Sequence, residues 1–260
     1  EQPPRLEQVD LAGQRSLLYT LKDETPIDPE GLYQWAFISL KWSPDGQYLA
    51  YHLRINSGSC TADFVETGVL DTETKRTFSL SDGLRYPQWM AFSPDSKKLA
   101  YIAGAGRDVV LEKQLEIFDL SAGGQVMDYS QSGYVDTQPV WLPGEANELL
   151  FCRGPEAQTV SDLNTLPGVM VPGQRIYQLN RDGQAAAVTA GPAATADYYP
   201  SPSPSGEEMM FLRLERFDQG SLYLQLLTAP EKAVEVLRGL RGNPGYYGNY
   251  YPEWISVYWF

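Results

Sequence analysis

Three acidic residues, Asp136, Asp197 and Glu253, are the best candidates for catalysis in this 260-residue chain. Each falls on a segment that we expect to be an inner β-strand beside a central channel. Two carboxylates about 5–10 Å apart, one of them kept protonated by its surroundings, can hydrolyse a glycosidic bond. The same residues could instead be strand-end caps and solvated charges. Two further inner segments, AFISLKW and YPQWMAF, carry no acid, and both interpretations stay open.

Few side chains in the sequence are suited to nucleophilic or metal chemistry. His52 is the only histidine, which weakens any mechanism built on a Ser-His or Cys-His pair. Cys60 and Cys152 are the only cysteines, a number that permits one disulfide and requires none. We therefore predict no catalytic residue, no metal site and no cofactor.

A repeated phrase organises the chain. SPDGQYLAY begins at residue 43 and SPDSKKLAY at residue 93, each preceded by an aromatic residue. Proline presets φ at the second turn position, aspartate suits the third, and glycine or a similar residue takes a left-handed fourth position. Each phrase thus predicts a hairpin between two strands, here called A and B. The residues before the five turns are Trp42, Phe92, Trp141, Pro202 and Trp254.

A second series of hairpins, called C–D, lies between these anchors. Five alternating apolar segments reach Asp10, Asp71, Asp119, Gln178 or Gln225 and then turn through polar residues. The first C–D hairpin precedes every A strand, and the fifth A strand, at about 250–257, comes last. This order predicts one all-β domain over 1–260, a five-bladed β-propeller whose N-terminal strands complete the C-terminal blade. The blades are expected at about 31–83, 84–133, 134–196 and 197–245, with a composite of 246–260 and 1–30.

The SPDG turn followed by LAY, with an apolar strand ending in aspartate downstream, resembles the WD40-like repeat of TolB-type β-propellers. The same repeat occurs in propellers of the prolyl oligopeptidase group. The resemblance covers the propeller part alone, because the N-terminal α/β domain of TolB has no counterpart in this sequence. The Gly-x-Ser-x-Gly nucleophile elbow of the peptidases is also not found. The repeat implies a fold and transfers no catalytic residue.

Every predicted D–A connection contains tyrosine. In a propeller the D–A and B–C connections share the face where ligands usually bind, so these side chains could form a recognition surface. Alternatively, they wedge between blades and cap strand ends. The candidate binding residues on these connections are Tyr33, Tyr86, Tyr134, Tyr198, Tyr199, Tyr246, Tyr247, Tyr250 and Tyr251.

The longest predicted B–C connection, at about 152–174, is either a specificity loop or a tolerated insertion. Val169, Met170 and Val171 form an apolar tip between prolines, which must pack or bind. We add Val169 and Met170 to the candidate partner-binding residues. Cys60 and Cys152 map to this same face, on blades that are not neighbours, so a disulfide between them stays open.

The formal net charge of −13 argues against binding to nucleic acid, and no apolar run is long enough to insert into a membrane. The resemblance implies a monomeric, non-catalytic scaffold of the bacterial envelope, periplasmic or otherwise extracytoplasmic and related to biopolymer transport. We expect a protein or peptide partner. The alternative is a carbohydrate-binding or glycoside-hydrolase-like propeller. An anchoring segment outside this chain would be compatible with either interpretation.

Overall fold

The structure of this protein is a computed structural model that describes residues 3–21, 34–56, 65–106, 108–121, 123–144, 147–157, 170–216, 218–242 and 259. Within these ranges the chain forms antiparallel β-sheets and one 3-10 turn, Pro87–Trp89. Among the described residues, no helix reaches the length and apolarity of a membrane span. The all-β prediction is confirmed.

Four sheets of four strands follow an N-terminal hairpin. The hairpin consists of β1 (Arg5–Val9) and β2 (Arg15–Thr20). Blade I contains β3 (Gln34–Trp42), β4 (Tyr48–Asn56), β5 (Glu66–Asp71) and β6 (Thr77–Ser79). Blade II contains β7 (Met90–Phe92), β8 (Lys98–Ala103), β9 (Gln114–Asp119) and β10 (Gln125–Asp128). Blade III contains β11 (Tyr134–Trp141), β12 (Leu149–Pro155), β13 (Arg175–Leu179) and β14 (Ala185–Ala187). Blade IV contains β15 (Ala196–Pro202), β16 (Glu208–Arg216), β17 (Gln219–Leu226) and β18 (Val234–Arg241).

In each blade the strands pair with their neighbours in chain order, as the A–B and C–D hairpins predict. The A–B turn has the expected chemistry. In blade I the Gly46 amide donates to the Ser43 carbonyl, and Gly46 has a φ of 75°. The Ser43 hydroxyl donates to the Asp45 carboxylate at 2.6 Å and accepts from the Tyr48 amide at 2.9 Å. Because these bonds close the turn locally, the SPDG phrase specifies a hairpin by itself.

The aspartates of the C–D turns cap their own backbone. The carboxylate of Asp10 accepts from the amides of Ala12 and Gln14, and that of Asp71 accepts from Glu73 and Thr74. Such Asx-type bonds stabilise a tight turn. Turn capping therefore accounts for these acids, as the sequence predicts.

Successive blades share apolar clusters. Ala50 of blade I and Met90 of blade II belong to one cluster, and Leu150 of blade III and Phe211 of blade IV belong to another. All four residues are fully buried. Blades II, III and IV also share the largest cluster. Each blade thus buries its apolar faces against its neighbours, as propeller blades do.

Both ends of the described chain contact the blades that a closed ring would bring to them. Leu6 in β1 and Leu21, the residue after β2, pack with Leu49 and Leu53 of blade I. The Trp259 indole donates to the carbonyl of Ser201 in blade IV at 3.2 Å. The inner strand expected at 250–257, together with Trp254 and Glu253, lies outside the described residues.

Candidate functional site

A cavity of about 220 Å³ lies where the inner strands of the four blades meet. Strands β3, β7, β11 and β15 and the 3-10 turn before β7 all contribute to its wall. Its lining residues are Lys41, Gln88, Ala91, Gln138, Pro139, Val140, Tyr199, Pro200 and Ser201. The cavity thus occupies the place of the central channel that the repeat predicts.

A repeated β-bulge shapes the wall. Ser39, Gln138 and Tyr199 stand three residues before the ends of β3, β11 and β15, with left-handed φ values of 53°, 51° and 56°. At each, two residues of the inner strand oppose one residue of its partner. A bulge bends its strand and re-aims the side chains around it. In blade II the Pro87–Trp89 turn stands at the same offset from the end of β7.

The bulges correct one sequence prediction. Tyr198 and Tyr199 lie inside β15, and Tyr134 is the first residue of β11, so these residues do not stand in the D–A connections. The prolines of these segments, Pro139 and Pro200, suggest loops when the sequence is read alone. In the structure each sits in a bulge of an inner strand, where a proline removes no ladder hydrogen bond.

Several acceptors at the cavity already receive hydrogen bonds. The Gln138 side-chain oxygen accepts from the Tyr199 amide at 2.7 Å. The Ala91 carbonyl accepts from the Trp141 indole at 2.8 Å, as the Ser201 carbonyl does from Trp259. The first two of these bonds join inner strands of neighbouring blades.

Lys41 contributes a positively charged side chain to the wall of the cavity. Its Nζ donates to the Met90 carbonyl at 2.5 Å. Burial lowers the pKa of this ammonium, because desolvation disfavours its charged form. None of the described lining residues is a carboxylate, and no ion pair to Lys41 forms among the described residues. Nearby, Nε2 of Gln88 is buried and has no hydrogen-bond partner in the described part of the chain.

The two described acids of the inner strands are engaged in buried ion pairs. Asp136 accepts from Nε and Nη2 of Arg153 at 2.6 and 2.7 Å. Asp197 accepts from the same atoms of Arg213 at 2.7 and 2.9 Å. All four residues are less than a tenth exposed. Burial raises the pKa of the Asp136 carboxyl, and the bond to Arg153 opposes that rise.

Each arginine also fastens the connection that leads into its blade. Arg153 donates to the Tyr129 carbonyl and Arg213 to the Ala190 carbonyl. The guanidinium of Arg153 lies 4.8 Å from the ring centroid of Phe151. Two of the three acids that the sequence offers for hydrolysis, Asp136 and Asp197, are thus engaged in structural ion pairs. Glu253 lies outside the described residues.

The described tyrosines do not form a continuous exposed surface. Tyr86 is buried against Trp89, with ring centroids 5.0 Å apart. Tyr198 is buried, and its hydroxyl accepts from the Val171 amide at 2.9 Å. Burial removes Tyr86 and Tyr198 from the proposed surface and assigns them to packing between blades. Tyr134 is 37% exposed, and Tyr199 lines the cavity.

The remaining predicted tyrosines lie outside the described residues. They are Tyr33, Tyr246, Tyr247, Tyr250 and Tyr251.

The apolar tip of the 152–174 connection packs instead of standing bare. Met170 and Val171 are buried in the largest cluster, which corrects the expectation that Met170 faces a partner. Val169 lies outside the described residues. Cys152 is a buried free thiol whose pKa is raised by desolvation. Cys60 also lies outside the described residues.

Sequence reasoning missed the residues that give the cavity its polarity: Lys41, Gln88 and Gln138. A signal for its neighbourhood was nevertheless present. DTQP at 136–139 and DYYP at 197–200 share an Asp-x-x-Pro spacing, and each aspartate pairs with an arginine 17 or 16 residues later. The aspartate of this motif forms the buried ion pair, and the proline lies in the bulge.

Some known proteins resemble this chain in sequence or in fold. No family model matches the chain. Dipeptidyl-peptidase 5 of Porphyromonas gingivalis is 28% identical over 144 residues, which cover 52% of this chain and 20% of the peptidase. The matched region therefore spans only about a fifth of that relative.

Two solved structures share the fold. A puromycin-hydrolyzing peptidase of Mycobacterium tuberculosis superposes with a TM-score of 0.56 at 15% identity, covering 92% of this chain and 38% of the peptidase. A protein from Agrobacterium tumefaciens described as TolB superposes with a TM-score of 0.50 at 17% identity, covering 92% and 75%. The chain has a TolB-like β-propeller fold. Proteins named as TolB and proteins named as peptidases both contain this fold, so the fold alone does not decide whether the chain is an enzyme.

Proposed function

We propose that this chain is a non-catalytic binding propeller that recognises a protein or peptide partner on the face bearing the D–A connections. The observation that carries the proposal is the chemistry of the inner strands. Their described acids are paired with buried arginines, and the lining residues within the described ranges offer an amine, amides and rings without a carboxylate. Such a wall suits recognition better than acid–base catalysis.

Tyr134 is the described residue that best marks the recognition face. It opens β11 and is 37% exposed, so part of this aromatic residue is accessible to a partner. The sequence likeness to a dipeptidyl-peptidase supports peptide as the partner class. The TolB-like fold supports an extracytoplasmic scaffold of the bacterial envelope.

Site-specific photocrosslinking tests the proposal. A benzophenone amino acid replaces Tyr134 in one variant and Val126, an exposed residue of the outer strand β10, in a control. Both variants are irradiated in envelope extract of the source organism. We expect a discrete adduct from position 134 that a tenfold excess of unlabelled protein suppresses, and no such adduct from 126. Equal labelling at both positions, or no adduct at 134, would reject this face.

A further inference from the structure

Two side chains at the cavity, Lys41 and Gln88, offer hydrogen-bond donors to a ligand. An ammonium carries three N–H donors, and Lys41 uses one of them on the Met90 carbonyl. The buried amide nitrogen of Gln88 has no partner in the described part of the chain. The Ala91 and Ser201 carbonyls already accept from indoles. A ligand in this space can therefore accept hydrogen bonds from both side chains.

The charge of the cavity favours a ligand that carries a negative charge. A partly buried lysine often has an acidic partner, since desolvating an unpaired charge is costly. The two described acids of the inner strands, Asp136 and Asp197, are each paired with an arginine at 2.6–2.9 Å. In a chain with 33 acids and 20 bases, the described wall thus presents a cation without a described acidic partner.

Size and lining restrict the ligand further. The volume of about 220 Å³ is roughly one and a half times that of a 150 Å³ cavity known to hold benzene. Ala91, Pro139, Val140 and Pro200 give the wall apolar surface beside the lysine. A group with a negative end and a small apolar body, on the order of ten non-hydrogen atoms, satisfies both features.

We propose that this cavity is a carboxylate-binding site in which the Lys41 ammonium is the counter-ion and the Gln88 amide a second donor. The carboxylate can belong to a free small acid or to the C-terminus of a peptide. In the second case the inference deepens the proposed function and rests on it, because the peptide would be the partner recognised from the adjoining face. In the first case it stands independently.

Calorimetric titration of the whole chain with matched probes tests the chemistry. Benzoate is compared with benzamide, and acetyl-Ala-Ala carrying a free carboxylate is compared with its C-terminal amide. We expect at least one acid to bind ten-fold or more tightly than its amide, with affinity falling as salt rises. Binding of benzoate alone assigns the site to small acids, and binding of the peptide acid alone assigns it to chain termini. Equal affinity for acid and amide, or no binding of either acid at 10 mM, overturns the proposal.

Two substitutions locate the binding. Lys41→Met removes the charge and keeps the length of the side chain, and it should weaken the acid at least ten-fold. Lys97→Met, at an exposed lysine paired with Asp95, is the matched control and should change nothing. Unchanged affinity in Lys41→Met would place the acid elsewhere and refute the assignment. If that variant does not fold, Lys41→Gln, which keeps a donor toward Met90, replaces it.

These outcomes remain separable from those of the proposed function. Crosslinking at Tyr134 that persists in Lys41→Met, alongside lost acid binding, would support both the recognition face and an independent small-acid site. Loss of crosslinking together with lost acid binding would identify the partner's own carboxylate as the ligand. Acid binding without any adduct at Tyr134 would uphold the cavity and reject the face.

Discussion

Acidification should destabilise this protein through His52, its single histidine. His52 lies in β4 opposite Ile38 and Thr67, and its side chain is 2% exposed. Its Nδ1 has no hydrogen-bond partner within the described residues. Desolvation lowers the pKa of the imidazole from 6.5 to about 4, because no neighbour there compensates the charged form.

The sign and size of the effect follow from proton linkage. The folded imidazole stays neutral down to about pH 4, whereas the unfolded one takes up a proton below 6.5. The contribution of His52 is therefore fully present above pH 6.5 and is lost as the pH falls toward 4. A difference of 2.5 units (6.5 minus 4) corresponds to roughly 3 kcal/mol, of which roughly 2 kcal/mol is lost by pH 5. That is a large share of an ordinary domain stability.

The contribution of His52 to stability can be measured by urea unfolding of the wild type and of His52→Gln between pH 7.5 and 5.0, followed by tryptophan fluorescence. The lower limit stays above the sequence pI of 4.5. The stability of both proteins changes as carboxylates titrate, but the difference between them isolates the histidine. We expect that difference to shift by roughly 2 kcal/mol against the wild type. A difference constant within about 0.5 kcal/mol, or an imidazole NMR titration centred near 6.5 in the folded protein, would refute the reasoning.

Three further predictions concern the buried pairs, a close backbone approach and the thiol. Asp197→Asn should lower the free energy of unfolding, measured with urea, by about 3–5 kcal/mol, because Arg213 keeps an unpaired buried charge. The double variant Asp197→Leu with Arg213→Met should recover most of that loss. Equal losses in the single and double variants would contradict this. Gly104 has a φ of 118°, and a Cβ there would lie 1.9 Å from a backbone carbonyl oxygen. Gly104→Ala should therefore lower the stability measured by thermal melting by at least about 1–3 kcal/mol. Gly106→Ala, with open space around the added Cβ, is the control and should cost less. In a variant whose other cysteine is serine, Cys152 should react with a thiol reagent at pH 8 only after unfolding; rapid reaction in the folded protein would count against its burial.

The hairpins were predictable because their information is local. Ser43, Asp45 and Gly46 close their turn with bonds inside the turn itself, so the SPDG letters suffice. The bulges could not be predicted, because Pro139 and Pro200 favour a loop when considered alone. Only the pairing of each inner strand with its neighbour shows that both prolines stand where no ladder bond is required.

The cavity could not be predicted for a different reason. Lys41 lies in a strand of alternating pattern, and nothing in its local sequence distinguishes it from a solvated lysine. Its environment arises from residues up to 160 positions away, such as Ser201. The Asp136–Arg153 and Asp197–Arg213 pairs lie closer in sequence, and their shared Asp-x-x-Pro motif was available.

Trp259 makes a hydrogen bond like that of Trp141, the anchor of blade III. Trp141 donates to the carbonyl of Ala91, the residue before the last of β7, and Trp259 donates to Ser201, the residue before the last of β15. Trp259 thus makes with blade IV the contact that the anchor of blade III makes with blade II. In sequence, this register sets WISVYW at 254–259 beside FISLKW at 37–42.

A closed ring requires the two chain ends to share one blade, and the proposed recognition face depends on that closure. Paramagnetic broadening tests it directly, with a nitroxide on Leu11→Cys, at the fully exposed β1–β2 turn, in a Cys60→Ser background. Two to three strand spacings of about 4.8 Å would separate the label from Trp259, well within the reach of the spin. We predict loss of the Trp259 indole signal with this label and its survival with a label on Val126→Cys of blade II. An unaffected indole in the Leu11 variant would contradict the ring.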